Sequence, residues 1–343
     1  MARRTKVSFA TCNLYNINLP RLKIYRDYNG WSDEEFALKL QWLSSLVAKV
    51  NADIWGFQEL WHYQALEQVF ERAGLKDNYT LLAPESHQGK AIICAGAVRS
   101  DILVGEPEWI KQFPDKFKLE GGGSDPQTSD IKVAINTFSR PVLHFNVRPR
   151  RRGKVISVYV AHLKSKAPTS LYREGWYRDD NEYYKRHSKS LGAAISTIRR
   201  TAEAAALRMI LTEEMKNNDN PVVILGDLND GQHSNTLNIL TEQPNYLFSG
   251  YKGGGDAALY TVETLQEYRS LRDVYYTHIY QNSKESLDHI LVSQEFYDQS
   301  KKRLWLFKGM EIINDHLNDE NHKETGTTDH GIVKATFEYN PNK

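Results

Sequence analysis

The segment Val222-Val223-Ile224-Leu225-Gly226-Asp227-Leu228-Asn229-Asp230 joins an uninterrupted apolar run to a cluster of acidic and amide side chains. Apolar, β-branched runs of this length are typical of strands that are buried on both faces. Polar groups that follow such a strand lie at an edge of the sheet, where functional sites are commonly built. The segment therefore indicates a functional edge, although a strand followed by an Asp/Asn turn is also ordinary loop chemistry.

Five further strand-like runs carry, or end in, groups suited to binding a metal ion and a phosphate. They are Phe9-Ala10-Thr11-Cys12-Asn13, Asp53-Ile54-Trp55-Gly56-Phe57-Gln58-Glu59, Val158-Tyr159-Val160-Ala161-His162-Leu163-Lys164-Ser165, Ser286-Leu287-Asp288-His289-Ile290-Leu291-Val292-Ser293 and Thr328-Asp329-His330-Gly331-Ile332-Val333. The runs are scattered from one end of the chain to the other. This distribution favours a single domain, residues 1–343, whose site is assembled from distant strands.

In order and spacing, these six motifs resemble the endonuclease/exonuclease/phosphatase superfamily of deoxyribonuclease-I-like phosphoesterases, from about Val7 to Phe337. The phrases at 162–165 and 226–230 are most similar to the bacterial and mycoplasmal nucleases of this superfamily. The resemblance implies an α/β fold in which two mixed β-sheets pack face to face and helices cover the outer faces, a four-layer sandwich.

Local patterns predict the elements of such a fold. Ser32 and Glu35 have the spacing of a capping box and predict a helix over about 36–50. Two more helices are predicted over about 63–73 and 191–215. Strands are predicted at 90–98, 131–138, 142–147 and 154–160, and the last two read as a hairpin.

The formal net charge of +1 excludes the global positive field that many nucleic-acid-binding proteins carry. Any attraction for a polyanion must therefore be local. Two segments concentrate basic residues, namely the hairpin tip at 148–154 and an aromatic and basic insertion at 164–190. Both fit a nucleic-acid contact, and both also fit the more ordinary reading of solvated charged loops.

The two cysteines, Cys12 and Cys94, lie in apolar runs and fit buried thiols better than a disulfide or a zinc site. The N-terminal residues lead directly into the first strand-like run without an apolar leader. No apolar stretch reaches the roughly 20 residues that span a bilayer. A cytoplasmic protein without a membrane span is therefore expected, whereas a removed leader would mean secretion.

The resemblance assigns three metal-binding positions. Glu59 corresponds to the principal ligand, Asn13 orients the metal or its water, and Asp329 contributes to the site. Oxygen ligands without a Cys/His cluster favour Mg²⁺, with Mn²⁺ or Ca²⁺ as substitutes.

The resemblance also assigns catalytic roles. Asp227 and Asn229 are two residues apart, so both point to the same side if strand geometry persists. They correspond to the family's water-orienting Asp and phosphate-binding Asn, and His162 corresponds to a histidine that contacts the scissile phosphate.

A second group completes the expected site. Asp288 corresponds to the partner that orients the imidazole of His330, since a histidine that donates one hydrogen bond needs a partner for its other ring nitrogen. Thr328 stands where the family usually has Ser and keeps the hydroxyl group. Arg140 and Lys164 are candidates for binding the substrate phosphate.

The resemblance to the nucleases of this superfamily therefore implies a Mg²⁺-dependent nuclease that hydrolyses phosphodiester bonds, of DNA before RNA, by in-line attack of an activated water. A phospholipid or small-molecule phosphodiesterase or phosphatase of the same fold is the alternative. A binding module without catalysis is least expected, because every matched position carries a chemically competent residue. No obligate protein partner is evident.

Overall fold

The computed structural model describes residues 4–122, 127, 129–242, 255–267, 269, 275–280, 283–319 and 321–341. Within these residues the strands are β1 (Lys6–Ile17), β2 (Ile54–His62), β3 (Tyr79–Leu82), β4 (Gln88–Arg99), β5 (Leu103–Gln112), β6 (Glu120–Gly121), β7 (Ile131–Lys132), β8 (Thr137–Val147), β9 (Ile156–His162), β10 (Val222–Asp227), β11 (Leu259–Thr261), β12 (His278–Tyr280), β13 (Ser283–Glu285), β14 (Asp288–Ser293), β15 (Trp305–Ile313) and β16 (Ile332–Tyr339). The α-helices are α1 (Asp33–Val50), α2 (Tyr63–Arg72), α3 (Gly175–Asp179), α4 (Asn181–Lys185), α5 (Ser188–Met215), α6 (Asn235–Thr241), α7 (Val262–Glu267) and α8 (His322–Thr325).

Two six-stranded mixed sheets form the framework. The first has the strand order β15-β16-β1-β2-β4-β3, and the second has the order β11-β14-β10-β9-β8-β5. The pairs β1/β2 and β9/β10 are parallel, and helices lie in the connection of each pair. This is the expected arrangement, because a parallel pair needs a long crossover whereas antiparallel neighbours can be joined by a short turn.

Three apolar clusters separate four layers. The central cluster lies between the sheets and includes Phe9 and Cys94 from the first sheet and Phe145, Val160 and Leu225 from the second. A second cluster packs α1 and α2 on the outer face of the first sheet, and a third packs α5 and α6 on the outer face of the second. The predicted four-layer α/β sandwich is confirmed.

Helix α1 begins where the sequence places it. Ser32 is the N-cap, its hydroxyl oxygen accepts from the backbone N–H of Glu35, and the Glu35 carboxylate accepts from the backbone N–H of Ser32. Both bonds satisfy amide groups that have no partner inside the helix. The predicted capping box is therefore confirmed, and the other two predicted helices correspond to α2 and α5.

The predicted strand at 131–138 is wrong. Only Ile131–Lys132 forms a short strand, β7, which pairs with β6, and β8 begins at Thr137. Between them, Val133 and Ile135 turn their apolar side chains onto the cluster beneath α5. Burial on the outer face of the second sheet thus outweighs the local preference for a continuous strand.

Cys12 and Cys94 are buried and free, and burial raises the pKa of each thiol to about 12. The prediction of buried thiols is confirmed. In the described parts of the chain, no helix combines the length and the apolar character needed to cross a membrane.

Candidate active site

Strand register brings the motifs to one edge of the sandwich. In the second sheet, Asp227 at the end of β10 is paired with His162 on β9 and with Asp288 on β14. In the first sheet, β1 and β2 run in parallel, and Asn13 is paired with Gln58, the residue before Glu59. The amide Nδ2 of Asn13 donates to Asp227 Oδ2 over 3.1 Å, so the two halves of the site are joined by a hydrogen bond between the sheets.

The backbone around these residues has the unusual conformations that are often found at functional sites. Glu59 has a φ of 63° at an irregularity in the β2/β4 pairing, and Asn229 has a φ of 55°. A non-glycine residue in this left-handed region costs about 1–3 kcal/mol, which the surrounding structure must offset. Gly226 permits the close approach of β9, since a Cβ there would lie 2.0 Å from the carbonyl oxygen of Ala161.

His330 lies between two carboxylates. Its Nδ1 is 2.8 Å from Asp288 Oδ2, and its Nε2 is 3.8 Å from Asp227 Oδ2. Burial opposes the charged imidazole, but Asp288 and Asp227 raise the pKa of His330 well above its ordinary value. His330 is therefore a protonated hydrogen-bond donor whose orientation is set by Asp288.

Both carboxylate oxygens of Asp227 accept hydrogen bonds. Besides Asn13, its Oδ2 lies 3.4 Å from His162 Nε2, and its Oδ1 accepts from the backbone N–H of Asn229 over 3.0 Å. Burial raises the pKa of Asp227 to about 7. Burial and the nearby Arg140 guanidinium lower the pKa of His162 well below its ordinary value, so this imidazole is neutral. A carboxylate with a pKa near neutrality is suited to exchanging a proton with water.

A separate group of oxygen ligands can hold a metal ion. Burial, and then the Asp329 carboxylate, raise the pKa of Glu59, whose Oε2 accepts from the backbone N–H of Asn16 over 3.0 Å. Asn13 also hydrogen-bonds to Glu59. Two carboxylates and an amide at one place fit a hard divalent cation, which relieves the repulsion between the two charges.

His278 also lies beside Asp329, and it was not predicted as a site residue from the sequence. The ligand atoms of His278, Asp329 and His330 lie within 4.8 Å of one another, as do those of Asp227, Asp288 and His330. In both sets His330 is already bonded to Asp288, whereas Glu59, Asp329 and Asn13 supply the oxygen ligands that a hard cation prefers. His278 stands alone as a histidine in a short strand, which carries no sequence signal for a site.

Arg140 and Lys164 approach the same edge from β8 and from the segment after β9. The Arg140 Nη1 donates to the carbonyl oxygen of Leu163, which also accepts from the side-chain amide of Asn229, both over 3.1 Å. Glu203 on α5 accepts from the backbone N–H groups of Ser139 and Lys164, each over 2.8 Å. These bonds hold the backbone beside both cations, so the two positive groups converge next to Asn229 and His162.

Lys39, on α1, was also missed because it appears in the sequence as one more helical lysine. Its side chain is buried, with Nζ donating to the carbonyl oxygen of Thr327 over 2.6 Å. Nζ lies 5.5–5.8 Å from the ring centroids of Tyr15, Trp31 and Trp42. Lys39 therefore holds the backbone immediately before the motif that carries Asp329 and His330.

The two basic segments lie at different places. The hairpin tip at 148–154 precedes β9, whereas His162 ends that seven-residue strand, so the tip is on the order of 20 Å from the site. Arg150 stacks on Tyr339, and Lys154 is paired with Asp219. The insertion at 164–190, by contrast, begins at the site and contains the short helices α3 and α4.

Comparisons with known proteins identify the family and the fold. Residues 11–330 match the model of the Endonuclease/Exonuclease/phosphatase family. The endonuclease/exonuclease/phosphatase from Bacteroides vulgatus is 14% identical with a TM-score of 0.54, covering 98% of this chain and 100% of that chain. D. rerio TDP2, complexed with single strand DNA product, is 14% identical with a TM-score of 0.53, covering 97% and 99%. Bacteroides thetaiotaomicron mannosyl-6-phosphatase is 13% identical with a TM-score of 0.51, covering 97% and 100%.

Identities this low show a shared fold. The comparison with curated protein sequences found no match. The family model, however, begins in β1 and ends at His330, so it spans all ten predicted site residues, from Asn13 to His330. The chain belongs to the endonuclease/exonuclease/phosphatase family.

Proposed function

We propose that this protein is a metal-dependent nuclease that hydrolyses phosphodiester bonds of nucleic acid, DNA before RNA. Members of its family are phosphoesterase hydrolases that act on DNA, RNA or small phosphoesters. The observation that carries the proposal is the buried unit of Asp227, His330 and Asp288, which places a proton acceptor and a protonated imidazole at the same sheet edge as Glu59 and Asp329.

Asp227 orients the attacking water and takes its proton. A general base works best when its pKa lies near the working pH, and the pKa of Asp227 is about 7. Asn13 and the backbone N–H of Asn229 fix the carboxylate, so a water bound to it has a defined direction of attack. In-line displacement at phosphorus depends on that direction.

Positive and donor groups stabilise the charge that develops on the phosphoryl oxygens. His330 donates from an imidazolium that Asp288 orients, and Asn229 keeps one side-chain N–H besides the one bonded to Leu163. Arg140 and Lys164 hold the phosphate from the side of His162. Preorganised donors of this kind are each worth roughly 10² to 10³ in rate.

Glu59, Asp329 and Asn13 would hold the metal ion, which we propose to be Mg²⁺, with Mn²⁺ or Ca²⁺ as substitutes. Family enzymes are generally dependent on divalent metals. When bound, such an ion neutralises phosphoryl oxygens as a Lewis acid. The residues themselves supply oxygen donors of the kind that hard cations prefer.

A phosphodiesterase or phosphatase acting on a lipid or a small molecule is the second candidate, because the fold is shared with a mannosyl-6-phosphatase as well as with a protein complexed with single strand DNA. More cations lie beside the site than a single phosphate group needs. This observation supports the nuclease, because a nucleic acid carries several phosphates.

Incubation of substrates with Mg²⁺ or with EDTA tests the proposal. Circular and end-labelled linear DNA, an RNA of the same length and a phosphocholine ester are compared at equal phosphate concentration. We expect DNA to be cut fastest, and only with the metal. Cleavage of the phosphocholine ester alone would replace the proposal by the second candidate, and no hydrolysis of any ester would reject both.

A further inference from the structure

A cleft of about 670 Å³ opens beside Arg140 and Lys164. Its walls carry four basic and two aromatic side chains and no acidic one; these are Lys23, Lys90, Arg140, Lys164, Tyr25 and Trp61. We call it the Tyr25 cleft. Lys23 and Lys90 come from a loop after β1 and from β4, and Arg140 and Lys164 come from β8 and from the segment after β9, so four separate parts of the fold direct positive charge into one space.

The four cations of the Tyr25 cleft have no carboxylate partner within 4.0 Å among the residues that the structure describes. Other lysines differ. Lys302, for example, contacts both Asp219 and Asp256. Unpaired cations that line one concave surface attract anions strongly, and a single scissile phosphate would occupy only Arg140 and Lys164. Lys23 and Lys90 remain for a second anionic group.

The aromatic wall consists of a buried Trp61 and a Tyr25 ring that packs on it and has one open face. Trp61 is buried and its indole N–H donates to Asn16 Oδ1 over 3.0 Å. The Tyr25 ring packs edge-to-face on Trp61, with centroids 5.0 Å apart, and it is 53% exposed. Its hydroxyl group bonds to Arg140, which ties the ring to the phosphate-binding side of the site. An exposed ring with fixed support suits stacking on a nucleobase.

We propose that the Tyr25 cleft binds the nucleotide adjacent to the scissile phosphate, with the neighbouring phosphate on Lys23 and Lys90 and the base on Tyr25. The proposal rests on the proposed function and names its substrate class, single-stranded nucleic acid. Stacking on a side chain requires an unpaired base, because bases in a duplex are already stacked on one another.

Aromatic and basic side chains continue along the surface beyond the Tyr25 cleft. Arg26, on the loop that carries Lys23 and Tyr25, donates to the hydroxyl group of Tyr172 over 2.5 Å. Tyr172 belongs to the insertion at 164–190, where Trp176 and Tyr183 are also exposed, at 42% and 50%. A strand longer than two nucleotides therefore meets further aromatic and basic side chains.

Steady-state kinetics on three substrates test the cleft. They are a single-stranded thymidine decamer, the same decamer paired with its complement, and bis(4-nitrophenyl) phosphate, which has one phosphate. The double variant Lys23→Gln/Lys90→Gln is compared with the charge-matched control Arg151→Ser/Arg152→Ser at the distant, exposed hairpin tip.

Wild type should prefer the single strand to the duplex. In the cleft variant, kcat/KM for the single strand should fall about tenfold more than kcat/KM for the small diester. The slope of log KM against log salt concentration should decrease by roughly 0.7, because the contact with one phosphate of the single strand is lost. The Arg151→Ser/Arg152→Ser control should keep the wild-type kcat/KM for the single strand and the wild-type salt slope. Tyr25→Leu should remove most of the preference for the single strand over the duplex.

An equal loss on all substrates, an equal loss in the control or an unchanged salt slope would overturn the proposal. A wild type that hydrolyses none of the three would reject the proposed function instead. In that case, the fluorescence anisotropy of a fluorescein-labelled thymidine decamer in EDTA tests binding to the cleft without hydrolysis. Equal affinity of the wild type and Lys23→Gln/Lys90→Gln for the decamer would overturn the proposal for the cleft.

Discussion

Asp227 shows how much of a site a single residue can reveal in a sequence. It ends an apolar strand, and this position alone indicates a sheet edge; its contacts with Asn13, His162 and His330 depend on residues far away in the chain. The sequence pointed to ten site residues, of which nine stand in the six motifs and Arg140 lies outside them. It could not reveal Tyr25, Lys39 or His278, which no motif contains and which tertiary packing brings to the site.

At the same scale, Glu59→Gln should raise the Mg²⁺ concentration needed for half-maximal activity by at least about tenfold. Loss of the charge removes a hard anionic ligand, and weaker changes around metal sites already cost 10-fold or more in affinity. A Mg²⁺ titration of nuclease activity measures this. Glu34→Gln, an exposed carboxylate in the first turn of α1, is the control. An unchanged titration for Glu59→Gln would move the metal ligand elsewhere.

Elements that depend on local chemistry were predicted well. The capping box of α1 is one example, since its two bonds join residues three apart. The strand predicted at 131–138 failed because burial of Val133 and Ile135 against α5 is a tertiary effect. The basic hairpin was predicted as a hairpin, but its distance from the site followed only from the direction of β9. The local sequence pattern thus predicts where an element lies better than it predicts which other elements pack beside it.

Lys39→Met tests what α1 contributes to the site. Burial lowers the pKa of Lys39 from 10.5 to about 8, so below pH 8 the folded protein holds a charge that the unfolded chain hydrates freely. The cost of burying this charge disappears as the pH rises through 10.5, because Lys39 is then neutral in both the folded and the unfolded protein. The free energy of unfolding of the wild type should therefore rise by about 3 kcal/mol relative to Lys39→Met between pH 7 and 10.5.

Urea unfolding in EDTA over this pH range measures the difference. Lys49→Met, which replaces an exposed lysine of the same helix, should show no such change relative to wild type. Parallel pH profiles for wild type and Lys39→Met would mean that Lys39 has an ordinary pKa in the folded protein.

At the scale of the whole molecule, the site lies where two sheets meet. Asn13 and Glu59 come from the first sheet, and His162, Asp227 and Asp288 come from the second. Neither sheet alone holds all of the candidate site residues, which supports the single-domain organisation that we propose for residues 1–343. The four-layer fold could be predicted because six motifs in order resemble one family. The substrate could not, because most residues that line the Tyr25 cleft, among them Lys23, Tyr25 and Lys90, lie outside those motifs.

Asp227→Asn most directly tests the claim that this edge is a nuclease site. The variant keeps the size of the side chain but removes the base, so kcat for single-stranded DNA with saturating Mg²⁺ should fall roughly 10² to 10⁴-fold. Because the amide nitrogen cannot accept a hydrogen bond that a carboxylate oxygen accepts, circular dichroism and the thermal midpoint are measured first to establish that the variant is folded. A folded Asp227→Asn protein that keeps more than about a tenth of the wild-type kcat would contradict the account.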